Sequence, residues 1–296
     1  MKYLSVFIIF GILACENSTK SKVSESYESR KLNEEFKNYW YDGNAEITSY
    51  ELLQYRYGEQ RQGTAVLIFV SEDFLPNDQV KADDRNPENI NVMKLNATKN
   101  FNTGIYPYSI MESTFLPLAE KRPVLKIASS TQEWCGQTYA QLNHHNDFEI
   151  NSHSYFEGEA DQNLSISPVL TENELWTQLR IDPKKIETGT QKLLPSLAFI
   201  RLNHLEIKPY SAEIKQFDNE FLVTEINYKN INRTLKIFQN KKFPFEIEQW
   251  EEIQIKNQDT LVTSAKKMKR LKTKYWQKNA NKYLNLRDSL NLQKND

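Results

Sequence analysis

Candidate chemistry in this chain centres on one thiol and the imidazoles that follow it. Cys135 lies in the stretch TQEWCGQTYAQLNHHND, which contains His144 and His145, and His153 follows shortly after it. A thiolate nucleophile needs a base within hydrogen-bond reach and surroundings that lower the thiol pKa. If the stretch folds as a hairpin, His144 and His145 lie in its turn, and His153 lies on the returning strand nearer to Cys135. Cys135 and His153 are therefore the candidate pair for a hydrolase.

The alternative for Cys135 is a buried thiol without chemistry. The chain has two cysteines, and Cys15 is assigned to lipidation below. Cys135 is then alone in an oxidising compartment, where disulfides normally form in pairs. Gly136 and the alternating residues after it indicate a strand rather than the start of a helix. We therefore expect Cys135 to be buried and inert, and we assign no catalytic residue.

Carboxylates beside His153 suggest a second kind of chemistry. The segment SYFEGEADQ places Glu157, Glu159 and Asp161 at every second position, which is one face of a strand. Three carboxylates on one face can hold calcium, and His153 would add an imidazole ligand. The spacing is neither that of an EF-hand nor that of a zincin. A solvated strand edge explains the same pattern, so we expect no metal and no other cofactor.

A dense basic run, KKMKRLKTKYWQK, extends from Lys266 to Lys278. The formal net charge of the whole chain is −1, so nucleic acid is not expected as a partner. In the cell envelope the run would meet an acidic partner such as lipid headgroups, lipopolysaccharide phosphate or an acidic protein face. The alternative is an edge strand that its lysines protect from aggregation. Phosphate-binding glycine loops and Gly-x-Ser-x-Gly elbows are absent from the sequence.

The elements that must position these residues are mostly strands. About ten segments rich in β-branched and aromatic residues follow one another, without the alternating βα pattern of a parallel sheet. One helix is predicted in TENELWTQLR, where Thr171 and Glu174 form a capping box. Leu175, Trp176 and Leu179 share one face of it. The predicted fold class is mostly β (α+β): a large curved antiparallel sheet or half-barrel with one helix packed on a face and a C-terminal helix, the latter in NANKYLNLRDSLNL.

The N-terminus predicts export and a lipid anchor. One basic residue precedes an apolar run that is too short to span a bilayer, which describes a secretory signal peptide over residues 1–14. Ile12-Leu13-Ala14-Cys15 resembles the bacterial lipobox. That resemblance implies cleavage before Cys15, acylation of its sulfur and attachment to the lipid bilayer. Residues 15–35 are polar and predict a flexible tether, and residues 36–296 predict a single antiparallel β-rich domain.

Four further segments resemble an uncharacterised family of bacterial outer-membrane lipoproteins: NATKNFNTGIYPYSIM, QEWCGQTYAQLN, SYFEGEADQN and ELWTQLRI. Some members of that family carry the label septum formation inhibitor, the name of the Maf nucleotide pyrophosphatases, whose motif this chain lacks. The order of strands, with NRTLKIFQNKKFPFEIEQWEE in particular, is similar to periplasmic half-barrels that bind lipoproteins or lipids. The resemblances imply a location at the outer membrane, facing the periplasm.

These observations predict a membrane-anchored, non-enzymatic protein that binds an apolar ligand, a lipid or an envelope partner in the hollow of its curved sheet. One short helix is too small to cover a ten-strand sheet. Its apolar residues Leu175, Trp176 and Leu179 are therefore expected to face the ligand. Two alternatives stay open. One is a hydrolase or metalloenzyme built on Cys135, His153 and the neighbouring carboxylates, and the other is a structural envelope protein with no pocket.

Overall fold

A computed structural model of the chain describes residues 27–292. The predicted signal peptide, Cys15 and most of the predicted tether lie outside those residues. No helix within residues 27–292 is long and apolar enough to cross a membrane. The fold begins earlier than the predicted domain boundary at residue 36. Ser29 forms a β-bridge with Glu120, and Arg30 Nη1 donates to the carbonyls of Pro117 and Leu118 at 2.6 and 3.1 Å.

The described part of the chain forms one sheet of sixteen strands. They are β1 (Ala45–Arg56), β2 (Glu59–Leu75), β3 (Val80–Lys81), β4 (Ile90–Thr103), β5 (Tyr106–Pro117), β6 (Lys126–Glu133), β7 (Gly136–His144), β8 (Phe148–Ser154), β9 (Gln162–Ile166), β10 (Leu170–Thr171), β11 (Gly189–Leu194), β12 (Tyr210–Asp218), β13 (Leu222–Tyr228), β14 (Arg233–Gln239), β15 (Ile247–Lys256) and β16 (Asp259–Thr273). The predicted mostly β fold is confirmed. The count of about ten strands was too low, because the short strands β3, β9, β10 and β11 were not predicted.

Strand order follows the chain with one break. Neighbours pair in the order β10-β11-β12-β13-β14-β15-β16-β1-β2-β4-β5-β6-β7-β8-β9, and β3 attaches to β2. The pairs are antiparallel except β10 with β11, which is parallel. Side chains alternate across the sheet as a period of two requires: in β14, Leu235 and Ile237 point to the buried face while Thr234 and Lys236 remain partly exposed.

The two edge strands of the sheet, β9 and β10, are consecutive in the chain. Residues 167–169 alone join them, so the two edges lie within about 15 Å of each other. The described backbone has no ladder between them, and the sheet is open. A sheet whose edges return to the same place must curl around its inner face, and this curvature creates an interior that helices can fill.

Four α-helices accompany the sheet in residues 27–292: α1 (Glu34–Trp40), α2 (Glu172–Ile181), α3 (Leu197–Leu202) and α4 (Asn285–Ser289). The predicted mid-chain helix is confirmed as α2, and its capping box is formed, since Thr171 Oγ1 accepts from Glu174 N at 3.1 Å. The predicted C-terminal helix is present as α4. One of the segments counted as extended, PSLAFIRLNHLEIKPYSAEI, is not a strand in its first part, which forms α3. Ser196 caps Phe199 N there, and the apolar run that follows is helical.

The interior of the curved sheet is mostly filled by the protein's own side chains, and a cavity of about 60 Å³ remains beside Trp176 and Trp250. Leu175 and Leu179 of α2 are fully buried in one continuous core with residues from both halves of the sheet. Trp176 is half-buried and packs edge-on against Trp250 at 5.3 Å. The expectation that Leu175 and Leu179 face a ligand is therefore corrected. The inner face is covered not only by α2 but also by α3, whose Phe199 and neighbouring residues are buried.

Candidate functional site

Helix α2 is held inside the sheet by buried ion pairs. Near its C-terminal end, Arg180 Nη1 and Nη2 donate to the two carboxylate oxygens of Glu46 on β1 at 2.7 and 2.9 Å. At its start, Glu172 accepts from Arg233 Nη2 at 2.9 Å, and the same guanidinium donates to Glu252 at 2.6 Å. Arginine and glutamate are almost never fully buried unless paired. These contacts therefore fix the position of α2 inside the sheet, and sequence spacing gave no sign of them.

Electrostatic coupling in these pairs is strong. Burial by itself raises the pKa of Glu46, but the charge and hydrogen bonds of Arg180 outweigh that effect and leave the pKa below its usual value. Burial also lowers the pKa of Arg180, and Glu46 more than compensates, so that the pKa is raised. Both groups are therefore ionised at neutral pH, and the pair is a structural clamp between α2 and β1.

Two other buried carboxylates, Glu112 on β5 and Glu174 on α2, form no ion pair with any side chain of residues 27–292. Glu112 accepts from Asn173 Nδ2 at 3.1 Å and from Ala198 N at 3.0 Å, and burial raises its pKa. Glu174 accepts from Val124 N at 2.8 Å, and burial raises its pKa to about 7. Glu174 therefore titrates near neutral pH, and its side chain lines the cavity described next.

A cavity of about 740 Å³ opens at the end of the sheet where residues 27–33 join the fold. We call it the mouth cavity. Its walls come from the start of α1, the C-terminal half of α2, the connection between β9 and β10, and the loop before β15. Apolar side chains line much of it: Leu32, Phe36, Val169, Leu170, Ile181, Ile186, Phe243 and Phe245. Charged side chains of both signs also line it: the cationic Arg30, Lys31, Lys121, Arg122 and Lys185, and the acidic Glu35, Glu174, Asp182 and Glu187.

Several cationic side chains of the mouth cavity have few or distant hydrogen-bond and ion-pair partners. Arg30 is directed to two backbone carbonyls rather than to a carboxylate, and burial lowers its pKa. Arg122 lies 3.7 Å from Glu120, and its buried Nε has no hydrogen-bond partner within the described structure. Lys185 lies 3.3 Å from Asp182. Lys121, by contrast, is paired with Glu28 at 2.6 Å. The cavity thus combines an apolar wall with charges of both signs, among which Arg30 and Arg122 are the cations that an anionic group could satisfy.

The expectation that Cys135 is buried on a strand is wrong. Trp134 and Cys135 form the two-residue turn between β6 and β7, and Cys135 is exposed. Gly136 follows the turn beneath the ring of Tyr155, where an added Cβ would lie 2.8 Å from Cδ1 of the ring. A hydrogen bond and the negative charge of Glu133 raise the thiol pKa. Because the thiolate is the reactive form, Cys135 is exposed but not activated.

Cys135 and His153 do line one hollow, of about 580 Å³, which we call the turn hollow. His153 lies opposite Tyr139 in the β7–β8 register, as the hairpin interpretation required. Its Nδ1 is 3.2 Å from Oδ2 of Asp161, which also lines the hollow. His144 is buried at the end of β7, edge-on to the ring of Phe148, and lies outside the turn hollow.

The carboxylates after His153 do not share a strand face. Glu157 and Glu159 lie in the loop between β8 and β9, where the amide of Glu159 donates to the carbonyl of Phe156 and closes a turn. Glu159 then points to α3 and binds Arg201 and His204 at 3.0 and 2.8 Å. Residues 27–292 contain no group of three His, Cys, Asp or Glu side chains that could hold a metal ion.

The basic run Lys266–Lys278 is not an edge strand, so that alternative is corrected. Most of it belongs to β16, which lies between β15 and β1 in the middle of the sheet. Lys267 donates to Glu248 at 2.8 Å, and Lys272 lies 2.8 Å from Asp42. Since part of the run is paired internally, the exposed cations that remain to meet an acidic partner are separated rather than continuous.

None of the protein-family models, curated proteins or solved structures compared with this chain matches it.

Proposed function

We propose that this protein is a lipid-anchored protein of the cell envelope that binds an amphiphilic lipid in the mouth cavity. The observation that carries the proposal is the cavity of about 740 Å³ with apolar walls and cationic side chains. Pockets for small ligands generally measure about 300–1,000 Å³ and combine apolar walls with a few polar groups. A single acyl chain with an anionic head satisfies both features of the mouth cavity.

The positions of the cationic residues indicate how the ligand should be oriented in the cavity. The buried Nε of Arg122 lacks a hydrogen-bond partner in the described structure, and a buried unsatisfied donor costs about 1–3 kcal/mol. An anionic head group would accept from Arg122 and from Lys31 nearby. The acyl chain would then lie against Ile181, Phe243 and their apolar neighbours. Binding at the mouth differs from the sequence expectation, which placed the ligand in the centre of the sheet.

Location at the membrane supports the same proposal. The lipobox resemblance at Cys15 would place an acyl anchor twelve residues before the described fold, and the fold begins at the mouth cavity. A connection of twelve residues would keep the mouth cavity within about 45 Å of that bilayer, whichever end of the fold faces it. Replacing Cys15 by Ala should release the protein from membranes and remove acyl mass from the mature N-terminus. Unchanged membrane retention would contradict the anchor.

Ligand binding is tested with palmitate and with uncharged monopalmitoylglycerol, using native mass spectrometry and competition with a fluorescent fatty acid. Val169→Trp should fill the mouth cavity and weaken palmitate binding at least tenfold. Gln137→Trp in the turn hollow is the matched control and should leave binding unchanged. Arg122→Gln should weaken palmitate more than monopalmitoylglycerol, while Lys184→Gln, outside the cavity, should not. Equal palmitate affinity in Val169→Trp and the parent protein would refute the site.

A second candidate function is hydrolysis or thiol chemistry in the turn hollow. It is favoured by one observation, the lining of the same hollow by Cys135, His153 and Asp161. The raised thiol pKa argues against it. A panel of thioester and ester substrates assayed with the parent protein and Cys135→Ala tests this candidate. Turnover that disappears in Cys135→Ala would favour it over non-enzymatic lipid binding.

A structural role with no ligand is the third candidate function, and the packing of the interior by the protein's own side chains favours it. Lipid binding at the mouth and a filled interior are compatible, because the two occupy different places. The palmitate experiment separates them: a protein that binds neither palmitate nor monopalmitoylglycerol would be assigned the structural role.

A further inference from the structure

Five neighbouring hairpins of the sheet turn at the same end. They connect β15 to β16, β1 to β2, β4 to β5, β6 to β7 and β8 to β9. Alternate strands of an antiparallel sheet run in opposite directions, so these five turns share one end of the sheet. Each carries one large side chain that is more than half exposed at or beside its turn: Ile255 56%, Tyr57 58%, Ile105 86%, Trp134 69% and Tyr155 76%. We call these five the rim residues.

The opposite end of the sheet has a different character. The β7–β8 turn there is His145-Asn146-Asp147, and the connection over residues 76–89 is mainly polar. The N-terminal segment joins the fold at this end, through the bridge between Ser29 and Glu120. Single exposed apolar residues are normal on protein surfaces. The β13–β14 turn at the rim end carries none, but each of the other five hairpin turns there carries one. The exposed apolar side chains Val80 and Trp276 at the opposite end are less than half exposed. The concentration of more exposed residues at the rim indicates a contact surface.

Spacing indicates what the rim residues contact. Neighbouring strands lie about 4.8 Å apart, so successive hairpins are about 10 Å apart. The rim therefore presents separate apolar side chains along a curve. The packed core of a protein–protein interface requires one continuous apolar patch instead. Tryptophan and tyrosine are enriched where a bilayer meets water, because one part of the ring is apolar and another is polar. A bilayer surface accepts separate side chains without a matching shape.

We propose that the rim residues insert into the surface of a lipid bilayer. Charges beside the turns have both signs, such as Arg56 facing Glu59 and Lys256 facing Asp259 across their hairpins. Attraction to anionic lipid is therefore not the basis of binding, and a zwitterionic bilayer suffices. β4, with 14 residues, is about 45 Å long, so the rim lies far from the mouth cavity. The rim contact is independent of the ligand site there.

The direct test measures quenching of tryptophan fluorescence by phosphatidylcholine vesicles that contain brominated lipids. The parent protein in both measurements is the full chain with Cys15→Ala, so that the proposed acyl anchor cannot hold it on the vesicles. Trp134 is a rim residue, and Trp276, 46% exposed after β16, belongs to the opposite end. Trp134→Phe should remove most of the quenching, whereas the matched variant Trp276→Phe should leave it unchanged. Quenching that persists in Trp134→Phe, or no quenching in the parent protein, would overturn the proposal.

A second measurement does not depend on fluorescence. The triple variant Ile105→Ser, Trp134→Ser, Tyr155→Ser should pellet with phosphatidylcholine vesicles at least about tenfold less than the parent, since tenfold corresponds to about 1.4 kcal/mol. The control is Val80→Ser with Phe217→Ser, two exposed apolar residues away from the rim. Raising the salt concentration should change pelleting little. Equal pelleting of the triple variant and the control would overturn the proposed bilayer contact.

Discussion

The clamp between Arg180 and Glu46 decides whether α2 stays inside the sheet, and its removal has a predictable cost. Both side chains are fully buried and joined by two hydrogen bonds, 134 residues apart in the chain. Arg180 also donates its Nε to the carbonyl of Pro244 at 3.0 Å and lies 5.1 Å from the ring centre of Trp40. A variant that removes one partner leaves the other charge in a site without water.

Breaking a buried pair from one side costs about 3–5 kcal/mol, whereas replacing both partners by apolar residues is often close to neutral. We therefore expect Arg180→Met and Glu46→Leu each to lower the free energy of unfolding by about 3–5 kcal/mol. The double variant should cost less than either single change. It still loses the hydrogen bond to Pro244, worth about 1 kcal/mol. The coupling energy is the difference between the loss of stability in the double variant and the sum of the losses in the two single variants. It should therefore be several kcal/mol.

Equilibrium unfolding in urea, followed by tryptophan fluorescence, measures all four proteins of the cycle. The matched control is the exposed pair Lys37 and Glu34, whose atoms also lie 2.8 Å apart. Its cycle should give a coupling energy below about 1 kcal/mol, because exposed ion pairs gain little. Additive losses in the double variant Glu46→Leu/Arg180→Met would refute the reasoning, since they would mean that neither charge depends on the other.

The pH dependence of this clamp has a definite sign. The pKa of Glu46 is lowered in the folded protein, so the unfolded chain binds its proton first as the pH falls. The clamp therefore contributes its stability above the unfolded pKa of about 4.5 and loses it as the pH falls through the lower folded pKa. The Glu46→Leu variant should show a smaller loss of stability in that acidic window than the parent protein.

Three further predictions test single features. The pKa of Glu174 is about 7 in the folded protein and 4.5 for the free side chain. The free energy of unfolding should therefore fall by about 3 kcal/mol as the pH rises between those values, at about 1.4 kcal/mol per pH unit. Glu174→Gln should flatten that decline in urea titrations at several pH values, and an unchanged decline would assign it to other groups. Gly63→Ala should destabilise the protein by about 1–3 kcal/mol, because its Cβ would lie 2.2 Å from the carbonyl oxygen of Asn100. In the control Gly158→Ala the new Cβ meets nothing within 4 Å, and the cost should be less than about 0.5 kcal/mol. Equal thermal midpoints of the two variants would contradict this prediction. Cys135 should react with iodoacetamide nearly as fast in the native as in the unfolded protein, with a rate that rises only at alkaline pH; protection in the native state would contradict its exposure.

Local features were predictable from the sequence because local physics produces them. The capping residues Thr171 and Glu174 and the 3.6-residue spacing of apolar side chains specify α2 without reference to the rest of the chain. Alternating strands with short turns specify antiparallel hairpins in the same way. The register of His153 beside the start of β7 followed from the hairpin alone. The sequence by itself therefore determined the fold class, the main helix and the local pairing.

Tertiary structure determined which distant residues these helices and strands contact. Composition showed the basic run, but strand order places β16 in the centre of the sheet rather than at its edge. The polar residues of α2 would face water on an isolated amphipathic helix, yet the curled sheet buries them against partners far away in the chain, such as Arg233 for Glu172. The mouth cavity likewise combines side chains from residues 30 to 245. Periodicity specifies which side of an element is apolar, but only the strand order and curvature of the sheet determine which distant charged and apolar side chains lie opposite it.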